Sequence, residues 1–236
     1  MQLKKFIRKT HKWLGLIIGI QVVFWVFGGL VMSSFPIEQV HGDHLLKETT
    51  PIVLDVDRLY PLVNVIKQNN LKITKVTTVT GFYGPLYRFT DLSGKLHFFD
   101  AMTGLAIKAI KEEQAILIAQ SIYSGQGNLL SSSRVTSNST EYRKRIPAWR
   151  IEFDDNEAAT FYIAEDSGEL MSVRNSMWRI FDFVWMLHIM DYKDRDNFNT
   201  WLLISAAAFA LFVSLSGMYL VVKTFRRKDF GFDKKH

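Results

Sequence analysis

Six histidines are the residues of this chain best suited to chemistry, because an imidazole can ligate a metal ion, accept a proton or polarise a neighbour. They are His11, His41, His44, His97, His188 and His236. His41-Gly42-Asp43-His44 brings two imidazoles and a carboxylate together, a set that can hold a metal and that also suits an ordinary polar loop. There is no cysteine. Disulfides, thiolate metal sites, iron–sulfur clusters and covalent haem attachment are thereby excluded. No glycine-rich phosphate loop, dinucleotide fingerprint or Gly-x-Ser-x-Gly element occurs either. Glu112-Glu113 and Asp154-Asp155 are acidic pairs, which an exposed helix start and a turn explain.

Two apolar runs position these residues. Trp13 to Met32 has Gln21 as its one strongly polar member, and Trp201 to Val222 is broken only by Ser205, Ser214 and Ser216. About 20 apolar residues suffice to cross a bilayer core as a helix. The first run is longer than a signal-peptide core, and Ser33-Ser34-Phe35-Pro36 is a poor cleavage site, so it reads as an uncleaved anchor. Lys4, Lys5, Arg8, Lys9 and Lys12 precede it without an acid, and six basic residues against two acids follow the second run. The ends therefore carry +9 of a net +6, and the middle carries −3. Basic flanks stay on the cytoplasmic side. The charge is thus a topology signal, and nucleic acid is not an expected partner.

This divides the chain into a basic tail (1–12), a first span (13–33), a periplasmic domain (34–176), an interfacial amphipathic helix and linker (177–199), a second span (200–222) and a second basic tail (223–236). The expected fold class is an α+β membrane protein, with two transmembrane helices flanking an α+β domain of two similar units. In the domain, Asp55 or Asp57 caps a helix through Ile66, and strands follow at 71–79, 86–90 and 95–99. A short strand is expected after the turn at 100–104. Residues 111–123 read as a helix, and the Ser/Asn/Gly-rich stretch 124–140 reads as a long loop. Strands return at 148–153, 159–163 and up to Val173. Tyr87-Arg88-Phe89 matches Trp149-Arg150-Ile151, and Phe98-Phe99 with Gly104 matches Tyr162-Ile163 with Gly168, which suggests an internal duplication. Trp178, Phe181, Trp185 and His188 lie at helical spacing before the second span, as expected at a headgroup layer. Gly15 with Gly19, Gly28-Gly29, and the row Ala206, Ala210 and Ser214 offer smooth helix faces on which a second span or a second copy can pack.

Thr10-His11-Lys12-Trp13-Leu14-Gly15-Leu16 at the head of an apolar helix resembles the start of the PepSY-associated transmembrane proteins, often described as iron-regulated. The Asp100-Ala101-Met102-Thr103-Gly104 turn is similar to that of PepSY modules. Trp185-Met186-Leu187-His188-Ile189-Met190-Asp191-Tyr192 resembles the Leu-His element before the family's last helix, and Ser216-Gly217 with the basic exit Arg226-Arg227-Lys228 is also similar. The resemblance implies a bacterial inner-membrane protein linked to iron or siderophore uptake, with haem b and electron transfer found among larger relatives of four or more spans. It implies His11 and His188 as haem ligands. The topology sets these two a bilayer apart, so a ligand pair needs a second copy for His11, or His41 or His44 beside His188. Short tails leave no room for NADH or flavin, so electrons would come from quinol or a membrane redox partner. The alternative is a non-catalytic anchor whose PepSY-like units hold a periplasmic partner, and whether the chain is an enzyme is left open.

Overall fold

The computed structural model describes residues 2–48, 54–81 and 84–224. The second basic tail beyond Thr224, with Arg226-Arg227-Lys228 and His236, lies outside the described residues. The chain divides into two compact units, residues 1–35 with 180–236, and residues 36–179.

The first unit is helical. Helix α1 spans Gln2–Ser34 and helix α6 spans Trp201–Thr224. Both are long and apolar enough to cross a membrane, and almost all of their surface faces away from the rest of the protein. Helix α5, Ser176–Ile189, begins in the other unit and contributes its last three turns here. Met190 closes it in the left-handed region at φ 54°, a common way to end a helix. Among the shielded positions of α1, one row runs through Ile7, His11, Leu14, Ile18, Gln21, Trp25, Gly28 and Met32. They recur at alternating steps of four and three, the seam of an antiparallel helix pair. The seam of α6 runs through Ala206, Ala210, Val213 and Gly217, with Ser216 buried beside it. Ser214, expected in that row, is exposed. Steps of four from Ala206 drift off a seam whose mean step is 3.5, and this rotates Ser214 outward.

The second unit is the α+β domain. It opens with α2 (Ile37–His41), then α3 (Leu62–Gln68) precedes the antiparallel meander β1 (Ile73–Gly81), β2 (Gly84–Asp91) and β3 (Leu96–Asp100). Helix α4 (Glu112–Ile122) precedes a second antiparallel meander of β4 (Asn128–Val135), β5 (Ala148–Asp154), β6 (Thr160–Ala164) and β7 (Leu170–Arg174). Each unit is thus a helix followed by a meander. The register agrees with the internal match: Arg88 lies opposite Phe98 and Arg150 opposite Tyr162. Gly104 and Gly168 both sit at φ 72°, each closing its turn with an N–H to the carbonyl four residues back.

Each sheet turns one face onto its helix. Val65 of α3 meets Tyr87, Phe89 and Phe99, while Ala115, Ile118 and Ala119 of α4 meet Ile151, Phe153, Phe161 and Ile163. Phe89 and Phe161 are fully buried, and truncating either costs about 3–5 kcal/mol.

Three local expectations are corrected. The stretch 124–140 is not one long loop, because β4 occupies its middle. Its serines satisfy an edge strand: Ser131 donates to Glu152 and Ser132 to Glu112, and a bulge lies between Leu129 and Ser131. Asp55 caps only a single 3-10 turn through the N–H of Asp57. The helix proper starts after Pro61, whose fixed φ suits a first turn. Directly after Gly104 the expected short strand is absent, and residues 105–111 contribute only a bridge between Phe99 and Ala106.

Candidate functional site

The seam of α1 carries three polar groups, the His11 ring, the Gln21 amide and the indole N–H of Trp25. An unsatisfied polar group in hydrocarbon costs several kcal/mol, so each needs a partner on a neighbouring helix.

Toward the α5 end, the partners are backbone carbonyls. Trp25 Nε1 donates to His188 O at 2.8 Å, and Gln21 Nε2 donates to Leu187 O at 3.3 Å. Those carbonyls belong to the last turn of α5, where no intrahelical donor remains. Two side chains of one helix thus cap the end of another. The approach is close because Gly28 has no side chain. A Cβ there would stand 3.2 Å from Val184 Cγ1 and 3.7 Å from His188 Nδ1. His188 Nδ1 is buried and makes no hydrogen bond among the described residues.

At the basic end, the partner is a side chain. His11 Nδ1 lies 2.8 Å from Ser216 Oγ, and Ser216 Oγ donates to Val213 O at 2.9 Å. The serine proton is committed to that carbonyl, so the network assigns the shared hydrogen to the imidazole. In the tautomer with that hydrogen on Nδ1, the lone pair lies on Nε2, the arrangement in which a hydrogen-bonded partner orients a ligating histidine. Gly217 forms the floor of the notch, since a Cβ there would lie 3.0 Å from His11 Cε1.

From His11 to the level of His188 at Gly28 is 17 residues of continuous helix, or about 25 Å. Axial ligands of one haem must face each other across one iron. His11 and His188 of one chain do not fit that requirement.

The other histidines belong to the α+β domain. His41 is exposed at the end of α2, and His44 Nε2 lies 2.7 Å from a carboxylate oxygen of Glu157. His97 Nε2 is 2.9 Å from Asp91, whose carboxyl is held well below the usual range by the Ser93 hydroxyl and by His97. Among the described residues no three His, Asp or Glu side chains are grouped to hold a metal, and His41, Asp43 and His44 do not converge.

Four residues of the helical unit escaped the sequence reading as partners: Ser216, Gln21, Trp25 and Asp191. The Asp191 carboxylate, just past α5, accepts backbone N–H groups of Lys193 and Asp194 on one oxygen and of Asp196 and Asn197 on the other. These bonds, that from Asn197 foremost, hold its carboxyl below the ordinary range. The loop is locked further by Arg195 on Asp182 and by Trp185 Nε1 donating to Arg195 O at 3.0 Å. Steps of four and three through Gln21 and Trp25 were the available signal for the seam; nothing in the sequence pairs residue 11 with residue 216.

Two concavities of the domain differ in character. An apolar cavity of about 190 Å³ between the two helix-and-meander units is lined by Leu86, Ile107, Ile110, Ile118 and Gly168. A more polar groove of about 350 Å³ is lined by Tyr123, Asp154, Asp155 and Glu157. There burial and the bond to Asp155 push the Tyr123 hydroxyl up to about 12. The two helix-and-meander units meet through Arg88 on Glu169 at 3.5 Å and through Arg145 stacked 4.8 Å over Phe98, and Arg145 is itself held by Glu169 at 2.6 Å.

A family model described as the PepSY-associated TM region matches residues 8–236. No curated protein and no solved structure matches the chain.

Proposed function

The chain belongs to the PepSY-associated TM family, and from that premise we propose that it is a non-catalytic anchor and binding protein of the bacterial inner membrane. Both ends lie in the cytoplasm, and the α+β domain faces the periplasm, where its paired units hold a partner engaged in iron uptake or redox work. The basic flanks support this orientation. The observation that carries the functional reading is the separation of about 25 Å between His11 and His188. Among the described residues, His11 and His188 of one chain do not form a facing ligand pair for the haem that larger relatives use, while the cavity between the two helix-and-meander units offers apolar surface to a partner.

A second reading is favoured by one feature. The Nδ1 bond to Ser216 leaves His11 Nε2 free to ligate, so two copies could hold one haem b through two His11 rings. The chemistry supplied would be one-electron transfer, fed by quinol or a membrane redox partner. His188 with His41 or His44 is the weaker pair, because Glu157 already occupies His44 and Nδ1 of His188 has no orienting partner.

The test is the visible spectrum of the full chain, purified in detergent after expression with ample haem, beside His11→Ala and His188→Ala. No Soret band together with a stoichiometric periplasmic protein in the preparation supports the anchor. A reducible Soret band lost in His11→Ala overturns it in favour of the second reading.

A further inference from the structure

The two long helices are out of step in where their apolar stretches begin. Gly217 of α6 lies against His11, and Gly15 of α1 against Val213. Each residue forward on α1 is therefore matched by one residue back on α6. Lys5 is level with Lys223, Lys9 with Tyr219, and Lys12 with Ser216. On α6 the apolar sequence continues to Val222, and Leu215, Met218 and Val222 are exposed. On α1, at those same levels, stand Arg8, Lys9 and Lys12, all exposed. Hydrocarbon that covers α6 to its end thus reaches about 10 Å past Lys12.

A cation at that depth needs a counter-charge, since aliphatic stems that snorkel outward reach only part of the way. The outer face of α1 continues in register from the cations into exposed Trp13, Leu16, Ile20 and Val23, an apolar strip on which acyl chains can lie. Head and tail chemistry are therefore stacked in the order of a phospholipid. We infer that Arg8, Lys9 and Lys12 hold the phosphate of an anionic phospholipid, drawn inward beside α1, with its acyl chains on the strip below. The site stands on the crossing of the membrane by both helices and not on the proposed partner or on haem.

The full chain in nanodiscs with equal amounts of phosphatidylglycerol and phosphatidylcholine of matched acyl chains, released into native mass spectrometry, tests this. Phosphatidylglycerol should be retained over phosphatidylcholine by about tenfold or more, as three cations near a headgroup imply. The variant carrying Arg8→Gln, Lys9→Gln and Lys12→Gln should retain both lipids equally, and that with Arg8→Lys, Lys9→Arg and Lys12→Arg should keep the preference. Millimolar inorganic phosphate should displace nothing. Should the glutamine variant fail to insert, raising salt on the wild-type chain must still erode the preference. Equal retention by the wild type means snorkelling alone and overturns the site, as does a preference that survives the glutamine variant, is indifferent to salt, or is displaced by phosphate.

Discussion

The two ends of the helical unit solve one problem in opposite ways. Each brings a histidine against a glycine of a neighbouring helix, His11 on Gly217 and His188 on Gly28. At the His11 end the ring itself is bonded, through Ser216, so its tautomer and orientation are set. At the His188 end the backbone is bonded instead, through Trp25 and Gln21, and the ring nitrogen is left without a partner. A bonded ring is prepared to ligate or to carry a proton, whereas a bonded backbone holds a helix end in place. The difference separates a candidate chemical group from a candidate structural one, although the two residues look alike in sequence.

The comparison breaks hardest at Gly28. Gly28→Leu should drive α5 off α1, combining overpacking with loss of both capping bonds, at a cost of about 3 kcal/mol. Thermal unfolding of the detergent-purified chain, followed by tryptophan fluorescence, measures it. An unshifted transition would mean that the α1–α5 contact contributes little. Gly217→Ala, at the other end, meets only the edge of a ring that can tilt, and a cost of about 1 kcal/mol is expected.

A sharper contrast uses the rings directly. Ser216→Ala strands a half-buried imidazole N–H and should cost about 1 kcal/mol, in the range of hydrogen bonds between membrane helices. It should also scramble the His11 tautomer seen in nitrogen chemical shifts. His188→Leu removes an already unpartnered polar atom, and should be neutral or slightly stabilising. Equal losses from the two substitutions would erase the distinction. Trp25→Phe keeps the apolar bulk but drops one cap, for about 0.6 kcal/mol.

How much of this was readable beforehand depended on distance along the chain. Trp13 to Met32 and Trp201 to Val222 announce themselves, because a span is a local property of composition. The paired meanders were legible through Tyr87-Arg88-Phe89 and Trp149-Arg150-Ile151, since alternation and turn residues are local too. Strand β4 was hidden because its serines have the composition of a loop, and only pairing with β5 organises them. The His11 partner lies 205 residues away, on a helix whose rotation follows from packing and not from its own sequence. For the same reason Ser214 looked like the packed serine, and Ser216 is. Gln21 was visible as an anomaly in an apolar run, but its role as a cap on α5 needed the register of two helices.

The smallest expected effect concerns pH, and it distinguishes the loop beyond His188 from both histidines. Asp191 is bonded as a carboxylate to four backbone N–H groups, so its folded pKa lies below that of the unfolded chain. For such a group the added stability is fully present above the unfolded value, near pH 4, and drains away as pH falls through the lower folded value. The loop over residues 190–199 should therefore keep its amide protection from neutral pH down to about pH 4 and lose it only in stronger acid. Asp191→Asn should lower protection at neutral pH and flatten the acid dependence, because the amide oxygen is a weaker acceptor and carries no charge. Amide exchange across this loop, read by mass spectrometry from pH 3 to pH 7 after correction for intrinsic rates, checks both. Loss of protection centred near pH 6 instead would assign the loop's stability to a group other than Asp191.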